Sequence, residues 1–183
     1  VMMAPVVYRE IDLVHHAHTD IGYSHIQEDV IKIHTENIRR ALQLIEKTKN
    51  YPEESRFKWN IESAWAVENF LQGATNTERR LFFEAVKNKQ IAISATYANI
   101  LTGLCTPEEM DCITEYARGL RDKKGLPINT AMMSDVPGMS WSMVASLAQN
   151  GIRYFSNGPN YVEGLPDKGD RIGYILREQG NKA

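Results

Sequence analysis

The sequence predicts an α/β protein, a parallel sheet or barrel wrapped by helices. Short apolar runs, several of them β-branched, recur along the 183 residues, and stretches with helical spacing separate them. Such strand–helix alternation favours parallel strands joined by helical crossovers. Ionisable and amide residues also collect just after the apolar runs, where the strands of α/β proteins hand over to functional loops. With 43% hydrophobic residues, a chain of this size can hide about 70% of its unfolded surface.

Residues 10–14 form the expected first strand and lead directly into His15 and His16. Residues 27–49 follow as a long helix, with Val30, Ile33, Ile38, Leu42 and Ile45 at helical spacing and Lys47 and Lys49 near its C-terminus. A second strand is expected over 57–61, then helices over 64–72 and 77–89, with Gly73 as a stop and Asn76 as the N-cap. A third strand spans 91–96 and a loop 97–106. Thr106 and Pro107 then cap and open one helix that runs to Lys124 before Gly125. Residues 130–134 make the fourth strand, 140–149 a helix closed by Asn150-Gly151, and 153–156 the fifth strand. Beyond a Gly/Pro-rich loop over 158–169, residues 171–177 offer one more strand. Trp59, Trp65 and Trp141 are expected to pack in the core or between helices.

The formal charge of −2, from 21 basic and 23 acidic residues that are mixed along the chain, gives no basis for a nucleic-acid or anionic-membrane partner. No apolar stretch approaches the roughly 18 to 20 residues that span a bilayer. The opening Val1-Met2-Met3-Ala4-Pro5 lacks a secretory leader pattern, although a leader removed earlier would leave such a start. A periplasmic or secreted location is weighed slightly ahead of a cytoplasmic one. Cys105 and Cys112, the only cysteines, make neither a disulfide framework nor a zinc ribbon.

Chemistry concentrates in His16-Ala17-His18-Thr19-Asp20-Ile21-Gly22-Tyr23. In an extended chain residues i and i+2 share a face, so the imidazole of His18 and the carboxylate of Asp20 can converge on one divalent ion. Asp135, after the fourth strand, is the third candidate ligand. Alternatively, His18 is merely hydrogen-bonded, Asp20 caps a turn, and Asp135 caps the helix that follows. Glu62 follows the second strand, Tyr97 and Asn99 the third, and Asn157 and Asn160 the fifth. His16 is placed as a donor orienting its neighbour, while His15, His25 and His34 are expected to be structural or solvent-facing.

The His-x-His-x-Asp-x-Gly-aromatic run and the Asp135-Val136-Pro137-Gly138 turn resemble the N-terminal catalytic domain of the glycoside hydrolase family 38 α-mannosidases. That resemblance implies an incomplete, seven-stranded β/α barrel, of which this chain holds about the first five β units. It implies Zn²⁺, or another divalent ion, on His18, Asp20 and Asp135. Asp135 would also be the nucleophile of a retaining mechanism on an α-mannoside. Tyr23 stands where the family has a tryptophan, a floor for a sugar ring, and Tyr97 and Asn160 are further expected substrate contacts. No arginine fills the family's slot after the fifth strand. Neither the acid/base carboxylate nor a further histidine ligand is found, so the chain alone is expected to be inactive. Five strands cannot close a barrel, and the open edge could pair with a second copy. Two other functions compete. A metal-dependent carbohydrate deacetylase should carry paired aspartates and His-x-x-x-His, absent here, and a non-catalytic sugar-binding module would explain the missing acid.

Overall fold

A computed structural model of the chain describes residues 13–160. Helix α1 (Gln27–Thr48) buries Val30, Ile38 and Ala41 along one stripe; Glu28 and Asp29 sit in its first turn and Lys47 in its last, as the helix dipole favours. Strands β1 (Trp59–Ile61) and β2 (Ile91–Ile93) pair in parallel, Trp59 opposite Ile91 and Ile61 opposite Ile93. Between them, α2 (Ala64–Gly73) and α3 (Asn76–Lys87) bury Phe70 and Phe82 completely, their rings 5.3 Å apart. α1 lies against both helices, and α3 against β2.

Of the expected first strand, residues 10–12 lie outside the described residues, and Leu13 and Val14 carry no regular structure. The segment still docks against β1. The carbonyl of His15 accepts the backbone N–H of Asn60 at 2.8 Å and its side-chain amide at 3.2 Å.

α3 is capped by Thr75 rather than by Asn76. The Thr75 hydroxyl accepts the Glu78 N–H at 3.2 Å, and the Glu78 carboxylate accepts the Thr75 N–H at 2.7 Å, a reciprocal Thr-x-x-Glu box. Glu78 also takes Arg39 Nε from α1 at 2.8 Å. The Thr75 backbone bond, then Arg39 and the Thr75 hydroxyl, hold the Glu78 carboxyl down to about 2 from its usual 4.5. A lowered carboxylate pKa contributes stability that is complete above pH 4.5 and lost as pH falls toward 2. Thr75→Ala is therefore expected to cost about 1 kcal/mol in a urea titration at pH 7. Glu78→Gln should flatten the decline in melting temperature between pH 4.5 and 2. Equal slopes for parent and variant would show that this carboxylate does not couple the two helices.

The single helix expected after Thr106 is two. α4 (Pro107–Cys112) starts at a second capping box, Thr106 with Glu109, and α5 (Glu115–Lys124) ends at Gly125, whose φ of 62° suits a left-handed cap. The interruption has a tertiary cause. The Ile113 carbonyl, which an unbroken helix would bond internally, instead accepts the N–H of Tyr97 at 2.8 Å.

β3 (Thr130–Val136) and β4 (Tyr154–Pro159) form the second parallel pair, joined through α6 (Ser142–Gln149), which lies against α4. Thr130 faces Tyr154 and Ser134 faces Gly158, but the register slips at Asp135 so that Val136 faces Pro159. A seam of mixed bonds joins the pairs. Ala95 N–H donates to the Thr130 carbonyl, Met132 N–H donates to Ser94 Oγ, and Thr96 Oγ1 donates to the Met132 carbonyl, at 2.9 Å each. Ser94 and Thr96 are buried, so their hydroxyls replace ladder bonds that would otherwise be unmade.

One hydrophobic cluster runs beneath both strand pairs, from Ile38 through Phe70, Ile91 and Met133 to Phe155, with Trp59 and Trp65 at its margin. Trp141 does not join it: in the cap position just before α6, the residue is 83% exposed. Most of the loop expected over 158–169, and the strand over 171–177, fall outside the described residues. Among the described residues no helix is long and apolar enough to cross a membrane.

Candidate active site

The site grows from the C-terminal ends of the strands. Glu62, immediately after β1, is only 5% exposed, and three donors satisfy it. His18 Nδ1 reaches its Oε1 at 2.7 Å, Asn99 Nδ2 the same oxygen at 2.6 Å, and His16 Nδ1 its Oε2 at 3.3 Å. An ionised carboxylate only accepts, so His18 donates through Nδ1 and its Nε2 is left facing the opposite way. That nitrogen lies 3.3 Å from Asp20 Oδ1 and 3.8 Å from Asp135 Oδ2. Burial pulls the His18 pKa down, but the hydrogen bond and charge of Glu62, with Asp20, outweigh it and leave it raised above the usual 6.5.

Asp135 owes its place to the slip in β3. Its φ is 58°, in the left-handed region that few residues other than glycine, asparagine and aspartate enter. Holding that conformation costs on the order of 1–3 kcal/mol, strain of a kind that clusters at functional sites. The bulge turns the carboxylate into the cleft, 46% exposed. Asp135 is no helix cap, since α6 starts seven residues later at Ser142 with Trp141 in the cap position.

One ligand atom from each of His18, Asp20 and Asp135 lies within 4.8 Å of the others. They open onto a cleft of about 800 Å³ that no lysine or arginine lines among the described residues. One nitrogen and two carboxylate oxygens, with the imidazole already oriented by a buried carboxylate, form a donor set suited to Zn²⁺ or another divalent ion. Ile100, Leu101 and Val136 give the cleft an apolar flank.

The other expected site residues are scattered. Asn99 lines the cleft. Tyr97 does not: past the end of β2 its backbone N–H bonds the Ile113 carbonyl, and its side chain lies in a separate cleft of about 580 Å³ between α2 and α5. Its hydroxyl donates to Glu68 at 2.6 Å, and that bond, with burial and the Glu68 charge, pushes its pKa up to about 12. Its side chain thus stands apart from His18, Asp20 and Asp135. Tyr23 stands 92% exposed in the turn where Gly22 N–H bonds the His25 carbonyl, and it does not line the cleft. Asn160, just past β4, donates its N–H to the Val136 carbonyl at 3.2 Å, beside the bulge. Asn157 Oδ1 is buried with no hydrogen-bond partner among the described residues.

Sequence reasoning missed His34 as a cleft residue. It comes from α1, meets Trp65 edge-on at 6.3 Å, and burial lowers its pKa. Its spacing held the signal, because His34 falls one turn from both Val30 and Ile38 on the buried stripe of α1.

Solved structures share this α/β fold. An α-mannosidase from Enterococcus faecalis V583 superposes with a TM-score of 0.62 at 17% identity, covering 79% of this chain and 16% of that one. A glycosyl hydrolase family 38 protein from Enterococcus faecalis gives 0.59 at 17% identity, covering 78% and 16%. A 4-alpha-glucanotransferase from Thermococcus litoralis gives 0.56 at 18%, covering 78% and 21%. The chain thus spans about a fifth or less of the length of these proteins, and no curated protein matches it. The sequence profile of the glycosyl hydrolases family 38 N-terminal domain matches residues 9–158, and the chain belongs to that family.

Proposed function

We propose that this chain is part of a metal-dependent, retaining glycoside hydrolase acting on α-mannosides, with Asp135 as nucleophile. The observation that carries this reading is the convergence of His18, Asp20 and the strained Asp135 at the strand ends of a family 38 domain. The two parallel strand pairs, with the His15 carbonyl bonded to Asn60 of β1, support taking the chain as the first part of a seven-stranded β/α barrel domain.

His18, Asp20 and Asp135 would hold the ion, and a bound Zn²⁺ would supply a Lewis-acidic anchor for vicinal sugar hydroxyls. In the first half-reaction an Asp135 carboxylate oxygen bonds to the anomeric carbon from the face opposite the leaving group. The glycosidic C–O bond breaks, and its electron pair leaves on an oxygen that a general acid protonates. Water then attacks the same carbon, gives its proton to that group and releases Asp135, with net retention. Glu62 is not that acid: it is 5% exposed, and both its oxygens are occupied by His16, His18 and Asn99. The proton donor is not assigned to a described residue.

The test uses the intact protein that contains this chain. Hydrolysis of an activated α-mannoside should require a divalent ion and be lost on chelation, and NMR should show the α-anomer as first product. A β-anomer as first product would overturn the covalent role of Asp135. Full activity after exhaustive chelation would overturn the metal reading. Release of acetate from N-acetylated sugars, with no glycosidic cleavage, would favour a deacetylase instead.

A further inference from the structure

We propose that Asn99 is the positioning residue that locks the histidine half of the site to the aspartate half. The inference rests on the metal-site reading above and goes beyond it by naming what holds the two halves in register.

The halves stand on different strand pairs. His18 is held through Glu62 at the end of β1, whereas Asp135 projects from the bulge of β3. Along the seam, Thr130, Met132 and Ser134 present their bonding groups in turn toward the chain that follows β2. Ala95 meets the first through its backbone, and Ser94 and Thr96 meet the second through hydroxyls. At the third position the Ser134 N–H donates to Asn99 Oδ1 at 3.2 Å. Asn99 Nδ2 donates in the opposite direction to Glu62 Oε1 at 2.6 Å. One planar amide therefore spans from the residue beside Asp135 to the carboxylate that orients His18.

Only this orientation of the amide works. Turned over, its oxygen would face a carboxylate oxygen and its NH₂ would face an N–H, and both contacts would be repulsive. No other side chain of the same size offers a donor at one end and an acceptor at the other without taking up a proton. Aspartate has the same shape but sets a second carboxylate against buried Glu62. Alanine leaves the Ser134 N–H and one acceptor site of Glu62 without this partner, which frees the bulge to shift relative to His18.

The decisive experiment is a Zn²⁺ competition titration against a chromophoric chelator on the intact protein, with parent, Asn99→Ala and Asn99→Asp, alongside melting temperatures of the metal-free forms. Groups that orient metal ligands typically contribute 10–100-fold in affinity, so Asn99→Ala is expected to weaken Zn²⁺ by about that factor. Asn99→Asp should weaken it at least as much despite its matching shape, a result that simple filling of space would not give. A double-mutant cycle of Asn99→Ala with Glu62→Ala should be less than additive, because both act through His18. Both Asn99 variants binding within about two-fold of the parent would overturn the proposal while leaving the metal site intact. If Asn99→Ala did not fold, the isosteric Asn99→Asp would decide by itself. A parent whose Zn²⁺ affinity does not respond to His18→Ala would instead overturn the metal reading, and this proposal with it.

Discussion

Asp135→Asn in the intact protein is expected to abolish turnover of an activated α-mannoside, by at least roughly 10⁴-fold, the scale seen when a nucleophile is removed. The substitution is nearly isosteric and asparagine also tolerates the left-handed backbone, so the bulge with φ of 58° should survive and the melting temperature should change little. It removes the attacking oxygen and one ligand charge together. Two measurements separate those losses. Added azide should restore turnover and give a β-glycosyl azide if attack at the anomeric carbon is what is missing, whereas excess Zn²⁺ should restore it if only ion binding suffered. Turnover within a few-fold of the parent, with neither addition, would mean that another carboxylate attacks.

Local chemistry made much of the fold legible. Residues 27–49 were expected as a helix and Gln27–Thr48 is one, because the apolar stripe and the charges at both ends lie within the segment itself. Thr106-Pro107 marked the start of α4 for the same reason. What the sequence hid depends on partners far along the chain. The break before α5 exists because Tyr97 takes a carbonyl from Ile113, and nothing near Ile113 announces it. Thr75 outcompeted Asn76 as cap because the capping box needs Glu78 at the third helical position, a spacing that was readable and overlooked. For Asp135, ligand and helix cap are equally compatible with Ser-Asp-Val-Pro-Gly. The register slip against β4 and the late start of α6 remove the helix cap, and neither is a local property. Tyr97 turns to the cleft between α2 and α5, where its N–H meets Ile113 and its hydroxyl meets Glu68, partners that nothing around Tyr97 in the sequence announces. Trp141 is exposed where packing was expected, one residue before α6 begins.

Glu62→Ala is expected to weaken Zn²⁺ binding by about 10–100-fold, and Glu62→Gln by much less. The difference follows from which oxygen does what. Oε1 accepts from both His18 Nδ1 and Asn99 Nδ2, whereas among the described residues Oε2 accepts only from His16 Nδ1, at 3.3 Å. A glutamine can therefore set its carbonyl oxygen where Oε1 stands and its NH₂ where Oε2 stands. His16 then changes tautomer and accepts, while His18 keeps its proton on Nδ1 and its Nε2 toward Asp20 and Asp135. What is lost is the charge behind the ring. Alanine has no such arrangement: three donors lose their acceptor in a place that is 5% exposed, and the His18 ring is free to rotate or to move its proton to Nε2, the atom the ion needs. Imidazole ¹⁵N shifts of the metal-free protein read the tautomer directly. His18 should remain protonated on Nδ1 in Glu62→Gln and become a mixture in Glu62→Ala, with Zn²⁺ affinity following the same order. Equal affinities in parent, Gln and Ala forms would mean that Glu62 does not orient His18, and that the 2.7 Å contact has no bearing on the site.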